Sequence, residues 1–375
     1  MFKLLSKDTH TKARTGHITT DNGVIQTPIF MPVGTLATVK AVKQSDLRDE
    51  IKAQIILGNT YHLYLRPGCD IIKKAGGLHR FMNWDGPILT DSGGYQVFSL
   101  SANRILEEQG ATFKSHLDGS SHKFTPENVV DIQRILGSDI MMLLDECPPW
   151  PCSYEYAKNS MELTHRWAVR GLKAFRETGP LYGHKQMQYG ICQGGTNTDL
   201  RAESAMFIDG LDFDGNAIGG LSVGEPPELM YEMTDLVTGY LTDSKPRYLM
   251  GVGTPGNLLR CIALGIDMFD CVMPTRNARN GMLFTRNGII NFRNAKWKDH
   301  FEPADAGFDS ELCKHYSMAY MHHLFRCGEI LGMELASLHN LRFYLWLMEE
   351  TREQISAGTF HTWHRDMVTR LESRL

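Results

Sequence analysis

Within thirteen residues, Asp267-Met-Phe-Asp270-Cys-Val-Met-Pro-Thr-Arg276-Asn-Ala-Arg279 sets a carboxylate at the end of an apolar, strand-like run and two arginines close behind it. A carboxylate can attack a sugar carbon, and arginines suit phosphates and base edges. The combination points to chemistry on a nucleic-acid sugar. Two more aspartates end similar runs, Asp91 in Asp91-Ser92-Gly93-Gly94-Tyr95 and Asp145 in Asp145-Glu146-Cys147. Asn59, Gln193, Gly219-Gly220-Leu221 and Met250-Gly251 stand at the ends of the others.

Each feature has a plainer reading beside the functional one. An aspartate at a strand end is often a helix N-cap, and for any one of the three that reading carries equal weight. Three meeting at one mouth favour chemistry. Gly93-Gly94 reads equally as an ordinary turn or as a gap through which backbone N–H groups approach a flat ligand. Tyr95 and Met250 are by residue type more often core than stacking partners. Cys147 and Cys192 are by default small buried hydrophobes.

The elements that must position these residues are legible as eight short apolar segments: Gln26–Pro32, Gln54–Thr60, Pro87–Gly93, Asp139–Glu146, Gln188–Gly195, Gly215–Leu221, Arg247–Gly253 and Met268–Pro274. Continuous apolar runs bounded by turns suit parallel strands buried on both faces. Helical stretches follow most of them, at Glu127–Leu136, Tyr156–Arg176, Asp199–Asp209, Pro227–Leu241 and Pro255–Leu264, with proline or Ser/Thr start signals. Eight such units predict an α/β chain folded as a (β/α)8 TIM-type barrel, with a doubly wound sheet as the competitor. Function then gathers at the C-terminal ends of the strands.

Asp21-Asn22-Gly23, Asp118-Gly119 and Asn287-Gly288 are hairpin signals, read as an N-terminal β cap and insertions on the barrel. Residues 1–375 are expected to form a single catalytic domain, with the cap and most of the barrel in 1–275. Residues 276–375 form a basic hairpin region and a helical subdomain that closes the barrel. From Arg276 to His300 there are six Lys/Arg against one acid, either a solvated face or, given its place after Asp270, a nucleic-acid surface. Leu335, Leu338, Leu341, Leu345 and Met348 repeat at helical spacing. Phe343, Trp346 and Leu347 lie off that stripe, as core or as a subunit interface.

Bulk properties set limits. With 375 residues, 42% hydrophobic and 22% charged, the chain can bury a large core. A formal net charge of −4 gives no global nucleic-acid signal, so any such surface is local. Eight scattered cysteines without a C-x-x-C pair favour a reduced, cytoplasmic protein over a disulfide scaffold. No apolar run approaches bilayer-spanning length, and the N-terminus lacks a secretory pattern.

Asp91-Ser-Gly-Gly-Tyr-Gln96, Asp145-Glu-Cys147, Gln193-Gly-Gly195, Gly219-Gly-Leu-Ser-Val-Gly-Glu225, Tyr248-Leu-Met-Gly-Val-Gly253 and Asp267-Met-Phe-Asp-Cys-Val-Met-Pro-Thr-Arg276 resemble, in order, the motifs of bacterial tRNA-guanine transglycosylases. That family is also called the queuine tRNA-ribosyltransferases. The resemblance runs from about residue 3 to residue 355. It implies a modified (β/α)8 barrel that exchanges guanine at the wobble position of G-U-N anticodon tRNAs for 7-aminomethyl-7-deazaguanine, in queuosine biosynthesis. It assigns Asp270 as nucleophile, forming a covalent ribosyl-aspartate as in a retaining glycosidase, and Asp91 as general acid/base.

By the same resemblance Asp145, Gln193 and Gly220 bind the base edge, with Ser92, Gly93, Gly94, Cys147, Gly219, Leu221 and Gly251 around it. Tyr95 and Met250 sandwich the ring, and Asn59 lies near the ribose. Val223 and Cys147 match the bacterial pocket for the small precursor base. The expected RNA contacts are Gly251, Val252, Gly253, Thr254, Pro255, Gly256 and Asn257 on one loop, and Thr275, Arg276, Asn277, Ala278 and Arg279 on the next. A homodimer is implied, with tRNA, guanine and the deazaguanine base as partners and no membrane.

The chain departs from the family at one place. Most members hold a structural zinc through C-x-C-x-x-C and a distant histidine, a sensible tetrahedral set. Here the positions read Phe308, Ser310, Cys313 and His339. Two of four ligands are absent, so no cofactor or metal is expected, with apolar packing around Phe308 instead. Two other functions compete: a non-catalytic tRNA-binding subunit, supported only by the eroded zinc motif, and a barrel hydrolase of small glycosides, which leaves the basic stretch without a role.

Overall fold

The computed structural model describes residues 1–100 and 104–375. β1 (Phe2–Lys7), β2 (Arg14–Thr20) and β3 (Gly23–Thr27) form an antiparallel sheet, with the Asp21-Asn22-Gly23 turn joining the last two. β4 (Ile29–Met31), β5 (Ile56–Gly58) and β6 (Ile88–Thr90) open the barrel. An inserted antiparallel sheet follows: β7 (Ile105–Glu107), β8 (Gly110–Lys114) and β9 (Ser121–Phe124), with Asp118-Gly119 in its predicted hairpin.

The barrel continues through β10 (Ile140–Met142), β11 (Met187–Cys192), β12 (Gly215–Ile218), β13 (Arg247–Leu249) and β14 (Met268–Asp270). β15 (Met282–Thr285) and β16 (Gly288–Asn291) make the third hairpin. The eight-stranded sheet runs β4-β14-β13-β12-β11-β10-β6-β5, with every neighbouring pair parallel. A parallel bridge from Val33 to Leu57 joins its two edges. The sheet is therefore a nearly closed barrel, and the doubly wound alternative fails.

All eight apolar segments supply a barrel strand, each shorter than its run. The residues beyond the ladder turn into loops at the C-terminal rim, which frees their side chains for a site. Between strands lie the helices Pro126–Leu136, Tyr154–Glu177, Thr198–Gly210, Pro227–Tyr240 and Pro255–Ala263. Their starts follow from sequence: Thr125 and Asn128 cap each other reciprocally ahead of Pro126, and the Thr254 hydroxyl accepts the Asn257 N–H at 3.2 Å.

The 28-residue helix Ile330–Ala357 packs against β4 and against Met273–Arg279. Phe343 and Leu347 are completely buried there and are core of this chain, while Trp346 is half-buried against that core. The amphipathic pattern is weak because this helix is enclosed on nearly every side. The sheet β1–β3 covers the opposite end of the barrel, where Arg14 reaches Asp267, just ahead of β14, at 2.6 Å. No described helix is long and apolar enough to cross a membrane, and all eight cysteines are free thiols.

Candidate active site at the barrel mouth

A cavity of about 410 Å³ opens at the C-terminal ends of the strands, and Asp91, Asp145 and Asp270 all line it. Asn59, Ser92, Gly93, Tyr95, Cys147, Gly219, Gly220, Leu221, Val223, Met250 and Gly251 share its wall. Separate strands thus deliver residues up to 211 positions apart in sequence (59 to 270) to one space.

Asp91 stands just beyond β6 and is 8% exposed. The Asn59 amide donates to its Oδ2, and the Thr60 N–H donates to Oδ1 at 2.8 Å. Burial pushes its carboxyl up to about 6, and the negative charge of Asp270 pushes the same way; the Asn59 and Thr60 donors pull back. Asp270, the last residue of β14, accepts the Tyr248 hydroxyl at 2.6 Å and the Gly251 N–H at 2.8 Å, both on Oδ1. Burial raises its pKa too, opposed by those two donors. Burial thus raises both carboxyls, and the charge of Asp270 adds to the rise at Asp91.

Asp145 accepts from Ser92 Oγ at 3.1 Å and from Gln193 Nε2 at 2.7 Å. Gln193 lies beneath the cavity rather than in its wall, fully buried, and its Oε1 has no partner. Arg201 fixes the facing loop. Its guanidinium, itself fully buried, donates to the carbonyls of Gly195 (2.7 Å), Gly219 (2.8 Å) and Gly220 (3.1 Å). Gly220 has φ +64°, which strains any residue with a Cβ, and a Cβ there would also force Gln193 Oε1 to move. Glu225 accepts N–H bonds from Ser222 and from Val223 (3.0 Å), which folds the loop carrying Val223 over one end of the cavity. Tyr95 is 51% exposed at the rim.

The expected RNA-contacting residues divide. Val252 and Ala278 are completely buried, and Gly253, Pro255, Gly256 and Thr275 are buried as well. These form the frame. Gly251, Thr254, Asn257, Arg276, Asn277 and Arg279 keep exposed surface. Arg276 and Arg279 lie on a short helix, Met273–Arg279, not on the basic hairpin. Asn340 anchors that helix: its Nδ2 donates to Pro274 O and Met282 O, both at 3.0 Å, and its Oδ1 accepts the Phe284 N–H.

The rest of the basic stretch disperses. Arg286 pairs with Asp305 at 2.8 Å, and Lys296 sits over the Trp297 ring. At the expected zinc positions only one thiol and one imidazole are present, and among the described residues no three His, Cys, Asp or Glu could hold a metal ion. The residues do not fit a zinc site.

Sequence reasoning missed Tyr248, Thr60 and Arg201 as site residues. Tyr248 was visible inside a quoted motif, but it reads as strand core until its hydroxyl is seen against Asp270. Arg201 sits on a helix with no signal of its role.

A parallel barrel with carboxylates gathered at its C-terminal mouth belongs to the α/β-barrel class and suits chemistry at a sugar carbon. The family model for queuine tRNA-ribosyltransferase matches residues 8–373. A queuine tRNA-ribosyltransferase of Thermoanaerobacter sp. (strain X514) is 57% identical over 354 residues, 94% of this chain and 93% of that protein. Proteins of the same name from Desulforudis audaxviator (52% over 362 residues, 96% of each chain) and Desulforapulum autotrophicum (52% over 371 residues, 99% of each) are similar as well. The chain belongs to the queuine tRNA-ribosyltransferase family, whose enzymes are pentosyltransferases.

Proposed function

We propose that this chain exchanges guanine at the wobble position of G-U-N anticodon tRNAs for 7-aminomethyl-7-deazaguanine. The observation that carries the reading is that Asp91 and Asp270 line one cavity at the barrel mouth, the first with its carboxyl raised to about 6. The everted nucleotide enters the mouth. An oxygen of Asp270 forms a bond to the ribose C1′ as the glycosidic bond to guanine breaks, and protonated Asp91 gives its proton to the departing base. The incoming base then surrenders a proton to Asp91, attacks C1′ and releases Asp270. Tyr248 and the Gly251 N–H hold Asp270 as an anion aimed at the sugar.

Asp145 accepts from the Watson–Crick edge, and the Gly220 backbone donates to the base carbonyl. Gln193 would turn its Nε2 from Asp145 to donate to the same carbonyl. Tyr95 and Met250 stack on the ring, while Val223 and Cys147 limit the 7-substituent. Arg276 and Arg279 meet the flanking nucleotides, and the active unit is a homodimer.

Labelled guanine incubated with the purified chain and an unmodified G-U-N tRNA tests the reading. Incorporation is expected, followed by chase with the deazaguanine base. No incorporation, or equal labelling of a tRNA lacking the wobble guanine, would overturn it.

A further inference from the structure

The four positions that hold zinc in most family members meet in this chain as different chemistry. His339 is completely buried on the long helix, with Ser310 Oγ 2.9 Å and Cys313 Sγ 3.5 Å from its Nδ1. Its Nε2 lies 2.8 Å from the Phe284 carbonyl oxygen. A carbonyl only accepts, so Nε2 carries the proton and Nδ1 is the acceptor. The hydroxyl of Ser310 donating to Nδ1 takes up the lone pair that a metal would need. The same hydroxyl oxygen accepts the Cys313 N–H at 3.3 Å and caps the helix Glu311–His315.

Phe308 fills the remaining volume. Its ring centroid is 5.2 Å from that of His339 and 5.8 Å from that of Trp346, both edge to face. The Arg286 guanidinium lies over the Phe308 ring at 5.6 Å and is held there by Asp305. Phe284 and Asn340, which adjoin this cluster in the chain or by hydrogen bond, connect it to the helix bearing Arg276 and Arg279.

We propose that this Ser310–His339 hydrogen bond, roofed by Phe308, replaces the structural zinc, so that the C-terminal helices and the arginine helix they brace are held without metal. The proposal rests on family membership and on this geometry, not on the base-exchange reading, and its readouts are metal content and melting temperature. Full-length protein made in zinc-supplemented cells is expected to carry zinc far below one per chain, with a melting temperature unmoved by a chelator. One zinc per chain, with a melting temperature that falls when the chelator removes it, would overturn the proposal.

The double substitution Phe308→Cys with Ser310→Cys rebuilds the thiolate set. It is expected to bind one zinc per chain from added Zn²⁺ alone and to melt higher with zinc than with chelator. A folded double variant that takes up no zinc would overturn the claim that the hydrogen bond occupies the metal's place. If that variant does not fold, the measurements on the unaltered chain decide.

Discussion

Asp267 and Asp270 bracket the same strand, β14, and are treated in opposite ways. Asp267, completely buried at the closed end, accepts Arg14 Nε at 3.0 Å, Arg14 Nη2 at 2.6 Å and the Arg247 N–H at 2.7 Å. Arg247 in turn reaches Asp243 at 3.0 Å. Asp270, at the open end, has only a hydroxyl and one N–H, both neutral. A buried charge matched by a cation is inert framework, because its attraction offsets its lost hydration. A buried charge given only neutral donors keeps part of that cost and is left reactive. One barrel carries both, at opposite ends.

The largest break in that contrast is Asp270→Ala. Exchange should fall by on the order of 10⁴-fold, and the covalent band on a denaturing gel should vanish, while the melting temperature holds or rises. A persistent band would remove Asp270 from its role. Asp267→Ala should do the reverse, leaving buried Arg14 with only the half-exposed Asp243 carboxylate, 3.3 Å away, as counter-charge. A loss of about 3–5 kcal/mol of stability by denaturant titration is expected, with kcat of the folded fraction little changed.

Asp91→Asn sharpens the open-end half. The Asp91 carboxyl titrates at about 6 when folded against an ordinary 3.8, so the folded state holds its proton longer than the unfolded chain. Stability from this group is therefore lost as pH rises between those two values. The asparagine variant should be more stable than the parent at pH 7, by up to about 3 kcal/mol, with the difference fading toward pH 4. Equal stability at both would refute the account. The smallest effect is expected of Tyr248→Phe. Loss of one hydrogen bond to a charged acceptor, roughly 1.5–3 kcal/mol, should lower kcat by about ten- to a hundred-fold with KM for tRNA unchanged.

The amount legible in the sequence varied by kind of residue. All eight strands and three hairpins followed from apolar runs and Asn/Asp-Gly turns, since both signals are local. The three aspartates were legible because each ends a run, and strand ends share one rim in a barrel. Tyr248 was not, because a tyrosine inside a buried strand gives no sign of where its hydroxyl ends. Arg201 and Asn340 were invisible for a different reason: each holds carbonyls of other elements, and those partners are set only by packing. The basic stretch looked like one surface, yet Arg286 is committed to Asp305, an acid that composition over residues 276–300 leaves out of view.

By itself the sequence determined the barrel, the residues at its rim and the loss of two zinc-binding side chains, because pattern, turn chemistry and donor atoms are properties of single positions. Only the tertiary structure decided which aspartate is matched by a cation and which is not. It also decided that Val252 and Ala278 are frame rather than surface, and that Ser310 meets the nitrogen of His339. Those outcomes depend on distances between segments far apart in the chain, which only burial and packing fix.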